Sequence, residues 1–226
     1  DYHLQTSKAY VLMEKGAEFR KEARDAFARA ATQRPDIAAT SDIILGLDIS
    51  LNDVVDAERR AREVLRRNRR ASLANYVMGA LALQRGSVGE AESFLRRAVE
   101  SENPPVLALN DYAETLRRRK QFAEAEKYAR LAVEKAPNLY VAWETLASTL
   151  LDAESSLDEA EKAIEKACRL STDKSGKIVD VRMLITLARI QKARGNVKRA
   201  ISTAQKVRMR YSELSEFEQG EFEEFM

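Results

Sequence analysis

A fixed interval of 34 residues separates small residues along much of this 226-residue chain. The interval links four alanines: Ala23, Ala57, Ala91 and Ala125. Seven residues after each of them stands a second small or β-branched residue, in the order Ala30, Val64, Ala98 and Ala132. Because seven residues make about two turns of an α-helix, both positions lie on one helical face. The period therefore predicts stacked helix–turn–helix units, in which each helix pair buries its apolar face against its neighbours.

The residues around these alanines resemble the tetratricopeptide repeat, a pair of antiparallel helices with a 34-residue period. The unit that starts at Val106 carries the family pattern at Leu109, Tyr112, Ala113, Leu116, Ala125, Ala132 and Pro137. The resemblance implies an all-α fold of the α-α superhelix type, a right-handed solenoid of about six helix–turn–helix repeats with a C-terminal helix. We expect a bacterial protein of this family, or a fragment of one.

We predict one tetratricopeptide-repeat domain over residues 1–226. Its repeats are expected at 4–37, 38–71, 72–105, 106–139, 140–174 and 181–214, followed by a C-terminal helix at 212–226. The first repeat has Pro35 where the family carries a proline. The second matches least, because Ser41 and Asp48 replace a large and an apolar residue of its first helix. We retain this repeat because the 34-residue register continues on both sides of it.

Two segments near the C-terminus depart from the strict spacing. About six residues are inserted in the polar stretch 171–176, which predicts a longer connection or a longer first helix in the last repeat. Ser212 is positioned to cap a following helix. The large apolar residues that project to one side of that helix are Leu214, Phe217, Phe222 and Phe225. We expect it to cover the exposed face of the last repeat; the alternatives are the first helix of a further repeat and a homodimer contact.

Composition argues against a membrane protein and against a strong tendency to bind nucleic acid, but it does not identify the cellular compartment. Lys and Arg total 38 and Asp and Glu total 36, so the net charge of +2 gives no strong tendency to bind nucleic acid. No stretch approaches the roughly 20 apolar residues of a membrane helix, and we expect a soluble protein. Cys168 is the only cysteine, which suits the cytoplasm or an equally cysteine-poor periplasmic protein. The start at Asp1, without a signal peptide, suggests an excised piece whose targeting segment is missing.

Residue sets that would carry chemistry are missing from the sequence. His3 is the only histidine, so neither a histidine-based triad nor a His/Cys metal set can be assembled. The stretch 174–177 superficially matches a phosphate loop, but Ser171 stands where the first glycine belongs and Ile178 where Ser or Thr belongs. We expect Cys168 to be buried as a small apolar side chain. The sequence therefore predicts no catalytic residue, no cofactor and no metal, and a protein that is not an enzyme.

The resemblance also implies where a partner binds. In tetratricopeptide proteins the first helices of successive repeats line a concave groove that receives a peptide or a partner helix. The corresponding positions here include Leu73, Tyr76, Leu83, Asn110, Glu114, Arg117, Glu144 and Arg189. Tyr76 suits an anchoring role, Asn110 can bond a peptide backbone, and Arg117 can form a forked bond to a carboxylate. We therefore predict a non-catalytic scaffold or adaptor that binds a protein or peptide ligand.

Three alternatives stay open at this point. The Arg-rich stretch 58–70 lies on a second helix, which in this family faces the convex side, and could bind nucleic acid or an acidic partner. Stacking aromatic residues do not alternate with these arginines, which disfavours nucleic acid. The chain could also be the repeat segment of a larger enzyme or secretion component. A homodimer through the terminal repeats is a further option.

Overall fold

A computed structural model of the chain describes residues 1–34, 38–173, 176, 178 and 180–226. Most of these residues are helical, and the only β-pairing among them is a single bridge between Thr172 and Ile178. Within the same ranges, no helix has the length and apolar character needed to cross a membrane. The all-α class expected from the sequence is confirmed.

The helices follow one another as pairs joined by turns. The first seven span Tyr2–Lys15 (α1), Arg20–Gln33 (α2), Ala38–Ser50 (α3), Val54–Arg67 (α4), Ser72–Gln84 (α5), Val88–Val99 (α6) and Val106–Arg118 (α7). The next six span Phe122–Lys135 (α8), Tyr140–Asp152 (α9), Leu157–Ser171 (α10), Arg182–Ala193 (α11), Val197–Arg208 (α12) and Glu216–Phe225 (α13). The residues group into two compact units, Asp1–Ala108 and Leu109–Met226. The single domain over 1–226 stays a prediction.

The alanines that set the sequence period lie at helix contacts inside each unit. Those with no exposed surface include Ala23, Ala91, Ala98, Ala125 and Ala132. Gly79 of α5 shows how close two helices come, because a Cβ atom there would lie only 2.6 Å from Cγ of Leu95 on α6. Larger side chains at such positions would force paired helices apart. The small residues thus set the distance between the helices of a pair.

Ala125→Leu is expected to lower the free energy of unfolding by roughly 1–3 kcal/mol, because the added atoms have no space at this buried position. Ala123→Leu is the matched control, since Ala123 lies on the same helix α8 but is exposed. It should change stability by less than about 0.5 kcal/mol. Urea unfolding followed by the fluorescence of Trp143, the only tryptophan, measures both effects. Equal effects of the two substitutions would contradict the packing of α8.

Both helices of the second repeat form, as α3 and α4, although their sequence matches the family pattern least. Asp48, which replaces an apolar residue of that pattern, is fully buried. Its carboxylate accepts hydrogen bonds from Arg24 of α2 at 3.3 Å and from Arg60 of α4 at 2.7 Å. These two charges offset the cost of burying the carboxylate. An ion cluster therefore occupies a position where the family pattern has an apolar side chain.

The inserted residues before the last helix pair lengthen a connection and not a helix. Helix α10 ends at Ser171, and α11 does not begin until Arg182. The two loop ends meet at the bridge between Thr172 and Ile178. Three residues of the rejected phosphate-loop match (Lys174, Ser175 and Lys177) lie outside the described residues, as does Pro35 of the first repeat.

Helix α13 begins later than the sequence suggested, and the prediction that Ser212 caps it is wrong. Ser212 lies in a short 3-10 turn over Tyr211–Glu213. The cap is Ser215, whose hydroxyl accepts from the backbone N–H of Glu218 at 3.4 Å. The Glu218 carboxylate in turn accepts from the backbone N–H of Ser215 at 2.7 Å, which completes a capping box. Ser212 has no such reciprocal partner three residues later, because that position is Ser215.

One side of α13 covers the last helix pair. Leu214 and Phe222 are buried against Val181, Leu184 and Val207 of the segment that contains α11 and α12. This is the arrangement expected for a terminal helix that covers the last repeat. The homodimer through the terminal repeats gains no support, because three of the four large apolar residues of this C-terminal segment (Leu214, Phe222 and Phe225) pack within their own chain.

Candidate functional site

The three predicted groove residues of the first unit form an apolar surface on α5. Leu73, Tyr76 and Leu83 are each half-buried. Leu73 and Tyr76 also pack against the buried cluster that α4 and α5 share. Tyr76 borders a small cavity of about 120 Å³, next to the partly exposed Ile49 of α3. These three residues are the apolar members of the predicted groove set on α5.

The other five predicted groove residues belong to the second unit, where they lie on α7, α9 and α11. They are Asn110, Glu114, Arg117, Glu144 and Arg189. Asp152, at the end of α9, connects two of them, because its carboxylate accepts from both Arg117 and Arg189. The sequence did not single out Asp152. We call these six residues the groove surface.

Arg117 is the centre of the groove surface, and its side chain is only 7% exposed. Two of its nitrogens donate to the Glu114 carboxylate at 2.7 and 3.0 Å, as a fork. The same guanidinium donates to Asp152 of α9 and to Glu221 of α13, the latter at 3.0 Å. Arg117 therefore uses its fork on Glu114 of its own chain, and a forked bond to a partner's carboxylate stays a prediction.

Asn110 lies two turns before Arg117 on α7 and is 7% exposed. Its Nδ2 group donates to the Asp111 carboxylate at 3.1 Å. Its Oδ1 atom is buried and has no hydrogen-bond partner among the residues that the structure describes. One turn earlier, Leu107 is 41% exposed. A buried acceptor without a donor costs free energy, and a backbone N–H of a bound chain would satisfy it.

Glu144 of α9 is held by hydroxyl groups. Ser148 donates to its carboxylate at 2.7 Å, and Thr186 of α11 donates to the same oxygen at 2.9 Å. Burial raises the pKa of Glu144, and the positive charge of Arg182 partly offsets this. Three helices of the second unit are therefore joined across the groove surface by polar contacts: α7 to α9 through Asp152, and α9 to α11 through Thr186.

The C-terminal helix α13 lies on the groove surface. Glu221 accepts from Arg117, and the Phe217 ring lies 3.9 Å from the guanidinium carbon of Arg118. At the far end, Lys192 of α11 donates to the backbone carbonyl of Phe225 at 2.9 Å. The sequence contained both halves of this contact, an acidic C-terminal segment and basic residues on the first helices. Nothing in the spacing of the chain linked them.

Helix α13 does not fill the space above the groove surface. A cavity of about 820 Å³ remains between it and the C-terminal ends of α7, α9 and α11. Five basic side chains line it, among them Arg118, Lys120 and Lys192, together with apolar ones such as Phe122 and Leu151. Five carboxylates line it as well: Asp152 and Glu154 at and just beyond the end of α9, and Glu216, Glu221 and Glu224 of α13. Apart from α13 the lining therefore holds five basic groups and two carboxylates, which suits an acidic segment that also carries large apolar side chains.

Two neighbouring carboxylates of α7 have pKa values displaced in opposite directions. Burial raises the pKa of Asp111 to about 6, and the charge of Glu114 adds to the rise. Burial would also raise the pKa of Glu114, but the guanidinium groups of Arg117 and Arg118 outweigh it and lower that pKa to about 2. Asp111 thus destabilises the fold when ionised, and Glu114 stabilises it.

These shifts predict a stability maximum in mildly acidic solution. The folded-state pKa of Asp111 lies above its unfolded value, so stability increases as pH falls from about 6 towards 4. The folded-state pKa of Glu114 lies below its unfolded value, so its contribution is lost as pH falls from about 4.5 towards 2.

Asp111→Asn should therefore be more stable than the wild type at pH 7, with a difference that disappears near pH 4. Urea midpoints from Trp143 fluorescence between pH 4 and 7.5 measure this, with the exposed Glu134→Gln as a control. A variant less stable than the wild type at pH 7 would contradict the assignment.

The Arg-rich helix α4 is largely paired with acids of its own unit. Arg59 contacts Asp56, Arg62 contacts Glu58, and Arg67 contacts Glu63, while Arg60 holds the buried Asp48. A cleft of about 990 Å³ lies beside α4, and acidic groups line it together with arginines. These pairings leave less positive charge for phosphate groups than the sequence alone suggests. They disfavour nucleic-acid binding through the stretch 58–70.

The described residues give no indication of catalytic chemistry. None of their His, Cys, Asp and Glu side chains form a group of three or more that could hold a metal ion. Cys168 is partly buried and packs against the core of the second unit. Burial raises the pKa of its thiol to about 11, so the reactive thiolate is rare at neutral pH.

Comparison with known proteins identifies the fold. No protein-family model and no curated protein matches the sequence. Among solved structures, PilW, a widely conserved type IV pilus biogenesis factor, aligns with a TM-score of 0.63 at 18% identity, over 97% of this chain and 96% of its own. PilF of Pseudomonas aeruginosa aligns with a TM-score of 0.66 at 14% identity, over 100% and 97%. YrrB, a tetratricopeptide-repeat protein with an unusual peptide-binding site, aligns with a TM-score of 0.60 at 19% identity, over 81% and 91%. This chain therefore has the fold of the tetratricopeptide-repeat proteins, the family that its 34-residue period resembles.

Proposed function

We propose that the chain is a non-catalytic protein-interaction scaffold, and that the groove surface of the second unit binds a peptide or a helix of a partner protein. The observation that carries this proposal is the position of α13. A helix already lies on the groove surface and contacts α7 through Glu221 and α11 through Phe225. A surface that accepts one helix through charged and aromatic contacts has the chemistry to accept another.

Two further features support the proposal. The buried Oδ1 atom of Asn110 has no donor among the described residues, and the apolar Leu151 of α9 lines the cavity beside α13. Together they offer a hydrogen-bond acceptor and an apolar contact to an added chain. Binding of peptides by a protein of the same fold is indicated for YrrB, which has an unusual peptide-binding site.

A peptide-display selection on the immobilised full chain tests the proposal. Peptides that use the groove surface should lose at least about tenfold in affinity for Leu151→Ser, because the change removes an apolar contact from the cavity lining beside α13. Ile201→Ser is the matched control, since Ile201 is an exposed apolar residue of the second helix α12. The proposal fails if the selected peptides bind both variants equally well, or if Ile201→Ser alone weakens them.

A further inference from the structure

We infer that α13 is an internal copy of the ligand: the partner is an acidic helix with aromatic residues eight positions apart and a glutamate midway between them, as in Phe217, Glu221 and Phe225. The inference rests on the function proposed above and specifies the partner for the same surface. It also implies that the partner must displace α13 to bind.

The spacing within α13 places a groove-facing set of residues and an anchoring residue on neighbouring faces of the helix. Phe217, Glu221 and Phe225 follow one another at intervals of four residues, so they share one face of the helix. This face contacts Arg118, Arg117 and Lys192. The neighbouring face carries Phe222, which is buried against α11 and α12, and Phe225 packs against the same cluster. Phe217 and Glu221 are therefore the groove-facing residues that are distinct from the anchor of the helix.

Charge complementarity indicates the sign of the partner's charge. Helix α13 carries five glutamates and no basic residue: Glu216, Glu218, Glu221, Glu223 and Glu224. The helices below it present cations along its length, and Glu218 lies 3.6 Å from Arg182 in addition to the contacts of Glu221. A basic helix would meet these cations in place of the glutamates and would be repelled. An acidic helix with the same aromatic spacing restores the contacts that Glu221, Phe217 and Phe225 make with Arg117, Arg118 and Lys192.

An external helix would gain contacts that α13 leaves unused. Phe217 remains 39% exposed, and the cavity of about 820 Å³ beside α13 is unfilled. With 10 residues, α13 is shorter than an isolated stable helix and depends on its tethering for occupancy. A longer acidic helix would fill the cavity and reach Asn110. These added contacts would compensate for the high local concentration of the tethered α13.

Direct binding of a synthetic peptide tests the inference. The probe is a fluorescein-labelled peptide of residues 212–226, titrated with the full chain and followed by anisotropy. The variant Phe217→Ala/Glu221→Lys should bind it at least about tenfold more tightly than the wild type, because its own α13 competes less for the surface. Arg169→Ala, at an exposed site on α10, is the control variant and should bind like the wild type. A peptide of the same composition, scrambled so that its aromatic residues fall on different faces, should bind at least about tenfold more weakly.

Three results would overturn the inference. The first is equal binding of the probe and the scrambled peptide by the double variant. The second is equal affinity of wild type and double variant for the probe. The third is a concentration-dependent dimer of the wild type in sedimentation equilibrium that the double variant loses, since the occupant would then be a second copy of the chain. If the display selection yields peptides that depend on Leu151 but lack the acidic and aromatic pattern, the inference fails and the proposed function stands.

Discussion

Asp48→Ala is expected to lower the free energy of unfolding of the first unit by about 3 kcal/mol, because it removes one partner of a buried ion cluster. The carboxylate has no exposed surface, and the side chains of Arg24 and Arg60 are only 13% and 17% exposed. Without Asp48, both guanidinium groups lose a buried acceptor. Arg24 keeps Asp53 at 2.9 Å, whereas for Arg60 the contact with Asp48 is the one that the structure shows. The larger part of the loss should therefore come from Arg60.

Asp25→Ala is the matched control for this change. Asp25 also contacts Arg24, at 3.4 Å, but its side chain is 49% exposed. Exposed ion pairs contribute at most about 1 kcal/mol, so this variant should stay close to the wild type. Urea unfolding followed by circular dichroism at 222 nm measures both. Equal, small effects of the two substitutions would show that the Asp48 cluster does not support α3 and α4.

Arg117→Met is expected to cost about 3–5 kcal/mol in the second unit at pH 7, because three carboxylates lose the cation that they share. Glu114, Asp152 and Glu221 are 19%, 14% and 23% exposed, so water replaces the guanidinium only in part. Methionine fills similar space, so the effect reports charge and hydrogen bonding more than packing. The loss should shrink as pH falls from about 4.5 towards 2, because Glu114 takes up a proton over this range.

Two substitutions serve as references for Arg117→Met. Arg117→Lys keeps the charge without the fork and should lose less than the methionine variant. Arg169→Met removes an exposed arginine that lies 3.8 Å from Glu165, and it should change stability by less than about 0.5 kcal/mol. Limited proteolysis near residue 215 gives a second measurement, since α13 should be cut faster once Glu221 has lost Arg117. Unchanged cleavage and an unfolding free energy within 1 kcal/mol of the wild type would contradict the central role of Arg117.

The helix pairs could be predicted from the sequence because short-range spacing determines them. Alanines seven residues apart must share a helical face, and Ala125 and Ala132 are indeed both buried. Asp48 shows the limit of such patterns. It is a mismatch when read within its own helix, and its burial depends on Arg24, which lies 24 residues earlier in the chain. Local spacing carries no information about that pairing.

The groove residues illustrate the same limit at longer range. The spacing placed Arg117 on the first helix α7, where the structure has it. It could not show that Glu114, Asp152 and Glu221 of the same chain would bind its guanidinium, because the last two lie 35 and 104 positions further along. The prediction that Ser212 caps α13 is wrong because Ser215 and Glu218 form a reciprocal pair of hydrogen bonds. That signal, Ser followed three residues later by Glu, is present in the sequence.

Hydrogen–deuterium exchange of the full chain, with and without the tightest groove-dependent peptide from the display selection, tests the central claim most directly. We expect slower exchange in α7, α9 and α11, at 106–118, 140–152 and 182–193, when the peptide is bound. We also expect faster exchange in α13, at 216–225, because the peptide displaces that helix from the groove surface. Protection confined to the second helices α8, α10 and α12, with α13 unchanged, would contradict the assignment of the groove surface as the binding site.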